Sequence, residues 1–382
     1  MISLLGLLPF VGADAPAADP VEPIGQIELC QADSSKGKKK KRNAAREAQR
    51  KKKELREMGV KTVRVASPGD WPKGIPVPKD TMLQSKGQQP GAGYVYETNN
   101  YRFHSPIALE EDAQRTIGRL FECAFAANKA VGDVLPVPRT EMDRTDNKYL
   151  VELWPTMADY LAKGGPQGSA GVFTCAFRKA SGPSGPGPLK ESEIVSDKVM
   201  VPFESLGLGS SGAIVSRDID THVLVHELTH QNFVRNGLPV WANEGWAEYL
   251  GYVPYMGETL DFGRCFSMIT HSAKEKAPHG ALDFPFTFEE FLTMDKSTMY
   301  GYMGSKDTYQ LSAMAVAFFV HLDGKKGVDA IKAYMQALLD GVPNTEAIEK
   351  LIAPHRNAKT LQKDFIRAWK RKKVDVSFAE VK

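Results

Sequence analysis

Along the first half of the chain, hydrophobic residues come in short runs of aromatic and β-branched positions. In the second half they recur every third and fourth residue. Tyr94-Val95-Tyr96-Glu97-Thr98 and Tyr101-Arg102-Phe103 read as strands, as do 149–154, 171–177 and 198–203. Between them, Ile117, Leu120, Phe121, Ala124 and Ala127 lie at helical spacing and predict an amphipathic helix over 109–131; 156–162 predicts a short one. From Asp218 onward the pattern is helical. Asp220 or Thr221 is placed to cap a helix running to about Arg235, and Asn236-Gly237-Leu238-Pro239 ends it, with Gly at the stop and Pro beyond. A second helix is expected over 242–250, and others over 288–294, 309–322, 328–339, 345–352 and 361–372. Strands first and helices after predict an α+β domain, a small twisted sheet followed by a mainly helical half.

The chain before Tyr94 lacks such a pattern. Residues 1–18 are signal-like: an apolar run from Ile2 to Gly12, then Ala13-Asp14-Ala15-Pro16-Ala17-Ala18 with A-x-A character, although no Lys or Arg precedes the run. They predict an exported protein, in the periplasm, in the cell envelope or secreted. Residues 19–90 are expected to be a disordered basic and Pro/Gly-rich linker, because such composition buries too little surface to offset chain entropy. The remainder, 91–382, is read as one folded domain, strand-rich over 91–210 and helical over 211–382.

Charge sharpens this division. The net charge of +3 hides twelve Lys or Arg against three Glu between Lys36 and Glu57, so the rest of the chain is net acidic. That stretch is read as a solvated linker or a tether to the cell envelope, with an anionic surface as the partner its charge could take. Nucleic acid is a poor fit, since no aromatic residue stands between Lys36 and Glu57 to stack on bases. No run approaches the ~20 apolar residues of a membrane span. The four cysteines, Cys30, Cys123, Cys175 and Cys265, form no C-x-x-C pair, which disfavours zinc-ribbon and thioredoxin chemistry.

The candidate chemistry lies in Thr221-His222-Val223-Leu224-Val225-His226-Glu227-Leu228-Thr229-His230. Residues four apart share a helix face, so His226 and His230 can present imidazole nitrogens to one Zn²⁺ ion. Zinc lowers the pKa of bound water to about 7, and a carboxylate beside it, here Glu227, can take the proton. Two histidines buried in an ordinary core are the competing explanation. Against it stand the helical reading of the segment, its apolar positions Val223, Leu224 and Leu228, and acidic residues close downstream. In Asn243-Glu244-Gly245-Trp246-Ala247-Glu248, Glu244 and Glu248 are four apart; on spacing alone either could bind zinc while the other accepts a hydrogen bond from a ligand histidine. A third histidine at metzincin spacing is excluded by Phe233 and Asn236.

His226-Glu227-Leu228-Thr229-His230 followed by Asn243-Glu244-x-x-x-Glu248 resembles the gluzincins, the thermolysin-like zinc metallopeptidases, and Leu238-Pro239-x-Trp241-x-x-Glu244-Gly245-x-Ala247-Glu248-Tyr249 looks like their bacterial secreted branches. The firm resemblance covers about residues 218–252; a weaker one, in strand order and Gly168-Ser169-Ala170-Gly171-Val172-Phe173, reaches back toward Tyr94. The resemblance implies Glu244 as third ligand, Glu248 as the acceptor behind a ligand histidine, and Glu227 as general base in zinc-dependent peptide-bond hydrolysis. It also implies a Tyr or His that stabilises the oxyanion. Candidates are Tyr300, Tyr302, Tyr309, His271 and His279, with Tyr309 favoured at the head of a long apolar helix. Peptide or protein substrate is expected along an edge strand, at Gly171, Val172, Phe173 and Thr174. His222 is read as a neighbour of the site rather than a ligand. Two other classes compete: a secreted zinc-binding or envelope protein of the same fold with little turnover, and a surface-binding protein led by the basic stretch with a structural zinc.

Overall fold

The computed structural model describes residues 71–132, 134–135, 148–167, 169–177, 194–253, 255, 258–277, 281–302, 307–352 and 356–380. The signal-like segment, the basic stretch Lys36–Glu57, Cys30, Gly168 and His279 lie outside them.

In chain order, the first strands are β1 (Gly74–Pro76), β2 (Gln84–Gln89), β3 (Gly93–Glu97), β4 (Tyr101–Ser105), β5 (Tyr149–Trp154), β6 (Val172–Phe177) and β7 (Ile194–Pro202). All but β1 form one mixed sheet in the order β2-β3-β4-β5-β7-β6. Its centre is parallel, β4 to β5 and β5 to β7, and both flanks are antiparallel. Helices α1 (Glu111–Ala130) and α2 (Met157–Ala162) are interleaved with these strands. Alternation decides the buried face: Tyr149, Val151 and Leu153 of β5 are buried, while Leu150, Glu152 and Trp154 are partly exposed. Tyr101 and Phe103 of β4 meet Phe121 of α1 edge-on at centroid distances of 5.3 and 4.9 Å.

The helical half opens with α3 (His222–Phe233) and α4 (Val240–Gly251). Asp220 Oδ1 accepts the His222 N–H at 3.0 Å, so Asp220 serves the helix start and the Thr221 side chain does not. A one-turn 3₁₀ segment, Val234–Asn236, and Gly237 in the left-handed region at φ 59° end α3. Gly there meets no Cβ penalty, which lets the chain reverse within three residues. Then come β8 (Thr259–Asp261), α5 (Phe262–Lys276), β9 (Ala281–Phe284), α6 (Phe288–Thr293), α7 (Lys296–Tyr302) and α8 (Asp307–Ala317). A π-helical turn, Phe318–Leu322, extends α8; α9 (Gly324–Leu339), α10 (Asn344–Ala347), α11 (Glu349–Ile352), α12 (Ala358–Lys370) and β10 (Asp375–Phe378) complete the fold. Leu224, Val225 and Leu228 of α3 join Phe173, Val199 and Val201 of the sheet in a core that continues through the helices. The fold is α+β, and among the described residues no helix is long and apolar enough to cross a membrane.

Order starts earlier than Tyr94. β2 pairs with β3, β1 pairs with β8, and Trp71 is 3% exposed. The Trp71 indole N–H donates to the Tyr249 hydroxyl on α4 at 2.9 Å, and its ring packs on Trp246 at 5.9 Å. Residues 71–90 therefore belong to the folded unit rather than to a linker, held by one large aromatic anchor and backbone pairing rather than by an apolar repeat. Helix α5 is likewise an addition to the elements expected.

Candidate metal centre

Helix α3 is buried on all sides. From Val223 to Phe233 every residue is covered, including His226, Glu227, Thr229, His230, Gln231 and Asn232. Buried polar groups are costly unless partnered. Thr229 Oγ donates to the Val225 carbonyl and Gln231 Nε2 to the Leu150 carbonyl. The rest face α4.

The turn at Gly237–Pro239 brings α4 back antiparallel to α3, and three pairs meet as rungs. His222 lies against Tyr252, just past the α4 end, with ring centroids 4.3 Å apart and the planes tilted by 46°. His226 Nδ1 lies 3.2 Å from Glu248 Oε1. His230 Nε2 lies 3.4 Å from Glu244 Oε2. Diagonal contacts cross the rungs: His226 Nε2 to Glu244 Oε2 at 3.3 Å, and His222 Nε2 to Glu248 Oε2 at 3.3 Å. Each row has its members four residues apart, the spacing that keeps them on one helix face.

His226 Nε2, His230 Nε2 and Glu244 Oε2 thus converge, the two nitrogens being 2.9 Å apart. Three donors about 2 Å from a common tetrahedral centre would stand about 3.3 Å apart, so the separations fit a zinc ion, and two imidazoles with one carboxylate form a catalytic zinc donor set. Glu248 takes the place behind His226, holding its other ring nitrogen, as ligand histidines generally require. The matching nitrogen of His230, Nδ1, is buried with no hydrogen-bond partner among the described residues.

Electrostatics favour a cation here. Burial alone would drive His226 neutral, but its hydrogen bonds to Glu244 and Glu248 outweigh that and hold the imidazole at about 10. Burial likewise opposes ionisation of Glu244, yet His230 and His226 bring its carboxyl down to about 2. Burial also opposes ionisation of Glu248, and His222 and His226 bring that carboxyl well below the usual range. Two ionised carboxylates sealed in the interior attract positive charge, as a proton or as a metal ion.

Glu227 differs. Burial pushes its carboxyl up, against the opposing pull of His226 and His230, and burial prevails. Oε2 accepts the backbone N–H of Phe173 at 2.8 Å, while Oε1 is buried with no hydrogen-bond partner among the described residues. Phe173 lies on β6, at the edge of the described sheet. Backbone groups alternate along an antiparallel strand, so the Phe173 N–H points away from β7 and those of Val172 and Thr174 point toward it. Ser169 donates to the Gly171 carbonyl and meets the Tyr160 hydroxyl at 2.6 Å, fixing the entry to β6.

Of the remaining candidates, Tyr309 is buried beside the site, its ring 6.1 Å from that of His226. His271 pairs with Glu275 on α5 at 3.3 Å and is not among the converging donors. Tyr302 packs edge-on against Phe286 at 5.2 Å. The side chain of Tyr300 lies outside the described residues. Two contacts had no place in the expected site, that of the Phe173 N–H with Glu227 and that of Tyr252 with His222. Tyr252 had a signal, standing four residues after Glu248; a backbone N–H has none.

No protein-family model matches this chain, and no curated protein matches it.

Proposed function

We propose that this chain is a zinc-dependent peptidase of the gluzincin type. What carries the reading is the convergence of His226, His230 and Glu244 donors beside Glu227, whose Oε1 has no hydrogen-bond partner among the described residues. A zinc ion bound there would supply a Lewis acid for the scissile carbonyl and a water of lowered pKa. The chain supplies the rest. With Oε2 held by Phe173, Glu227 presents Oε1 as proton acceptor, and its raised pKa suits a group that takes a proton and returns it to the leaving amine. Glu248 orients His226. Tyr309 is the donor proposed for the oxyanion. The outer edge of strand β6, over Gly171, Val172, Phe173 and Thr174, is the proposed place for an extended peptide, with the N–H groups of Val172 and Thr174 turned to β7 and that of Phe173 to Glu227.

The test is Glu227→Gln, which keeps size and polarity but removes the acceptor. Zinc content should stay near that of the parent, while chelator-sensitive digestion of a peptide library should fall by at least the ~10²-fold typical of a lost general base. Undiminished digestion would overturn the mechanism. A parent that holds zinc yet digests nothing would favour a zinc-binding protein of this fold without turnover.

A further inference from the structure

We propose that His222 is a positioning residue for the ligand His226, acting through Glu248. The inference rests on the peptidase reading and extends it one layer outward. Glu248 stands between two imidazoles: Oε1 lies 3.2 Å from His226 Nδ1, and Oε2 lies 3.3 Å from the buried His222 Nε2, a charge contact rather than an aligned hydrogen bond. A carboxylate with an imidazole beside one oxygen alone can still rotate about its last bonds; with one beside each oxygen its rotation is restricted, and so is that of the imidazole it orients.

Three features fix His222 in turn. Its backbone N–H is held by Asp220 Oδ1 at 3.0 Å. Its ring lies against Tyr252, whose hydroxyl donates to Ser272 Oγ at 2.8 Å. Its other side is closed by the α4 backbone at Gly251, where a Cβ would stand 2.9 Å from His222 Cδ2 and 3.1 Å from Nε2. Only glycine leaves room for the imidazole at that point. His222 Nε2 is buried without an aligned hydrogen bond among the described residues, and the Glu248 carboxylate is the charged group beside it. His222 lies one turn before His226 and is absent from the converging donors, so the role proposed for it runs through Glu248 rather than through ligation.

The experiment is zinc affinity, by chelator competition, of the full chain and of His222→Leu, His222→Gln and His222→Asn. Leu is expected to weaken zinc binding by about tenfold, the low end for loss of an outer partner of a ligand histidine. Gln places an amide where Nε2 stood and should restore affinity, whereas the shorter Asn should not. In a Glu248→Ala background, His222→Leu should have no further effect, because the coupling runs through that carboxylate. An affinity unchanged in His222→Leu, an equal loss in the Glu248→Ala background, or Gln no better than Asn overturns the proposal. If the Leu variant does not fold, the Gln and Asn pair decides alone. A parent that binds no zinc overturns the peptidase reading, and this inference with it.

Discussion

Glu244 and Glu248 stand one turn apart on the same face of α4, yet only Glu244 reaches both histidine Nε2 atoms. Removing a direct ligand should cost far more zinc than removing the partner behind one, for which about 10–100-fold is usual. Glu244→Ala should therefore purify essentially zinc-free, and Glu248→Ala should load when zinc is in excess. Zinc titration of the two variants decides; the reverse order would exchange their roles. Acid and base should both weaken the metal-free protein. Glu244, shifted from 4.5 to about 2, stabilises the fold fully above pH 4.5, a contribution lost as pH falls toward 2. His226, shifted from 6.5 to about 10, stabilises it fully below pH 6.5, a contribution lost as pH rises through 10. Thermal midpoints of the chelated protein should thus be highest between these limits. A midpoint that climbs steadily from pH 4.5 to 9 would show that the carboxylate–imidazole pairs do not govern it. At this scale the sequence was informative where spacing alone defines a geometry. His226, Glu227 and His230 could be read from one helical turn. The choice between Glu244 and Glu248 could not, since a shared face leaves the partner helix to decide.

Between elements, the register of α3 against α4 sets the whole site. It follows from a stop at Gly237 and a restart at Pro239, both visible in the chain, and from rows of side chains at four-residue spacing. The long periodic elements were legible for the same reason: α1, β5 and α4 carry enough residues for their pattern to show. Strands β1, β8, β9 and β10 have three or four residues each, too few for alternation to declare itself. Helix α5 has a legible stripe, Cys265, Phe266, Ile269 and Ala273 behind an Asp261 cap, but polar neighbours mask it. Strand β6 adds a test of substrate pairing. Because edge groups alternate, N-methylating successive amides of a peptide substrate should raise KM at every second position. A uniform or absent effect would remove strand addition from the account. Thr174→Pro, by contrast, would strike the pairing with Lys198 and lower stability.

For the molecule as a whole, the boundary of the folded unit is the correction with most consequence. Cutting after residue 90 would remove Trp71, β1 and β2. Cutting after residue 70 spares all three. The shorter deletion should leave zinc content and melting unchanged, whereas the longer one should lose stability, because burying a Trp typically contributes about 3–5 kcal/mol relative to Ala. Melting curves of the two truncations, with Trp71→Ala beside them, check this; equal stability of both would return 71–90 to the linker. The low apolar content of 71–90 hid this boundary, since a single indole can anchor a segment that composition reads as solvated. That anchor also makes the protein an optical gauge. Trp71 lies 5.9 Å from Trp246, and Trp246 sits on α4 between Glu244 and Glu248. If zinc binding tightens α4, the surroundings of two adjacent indoles change, so ultraviolet emission should follow occupancy without an added dye, and Trp71→Phe should separate that signal from the other tryptophans.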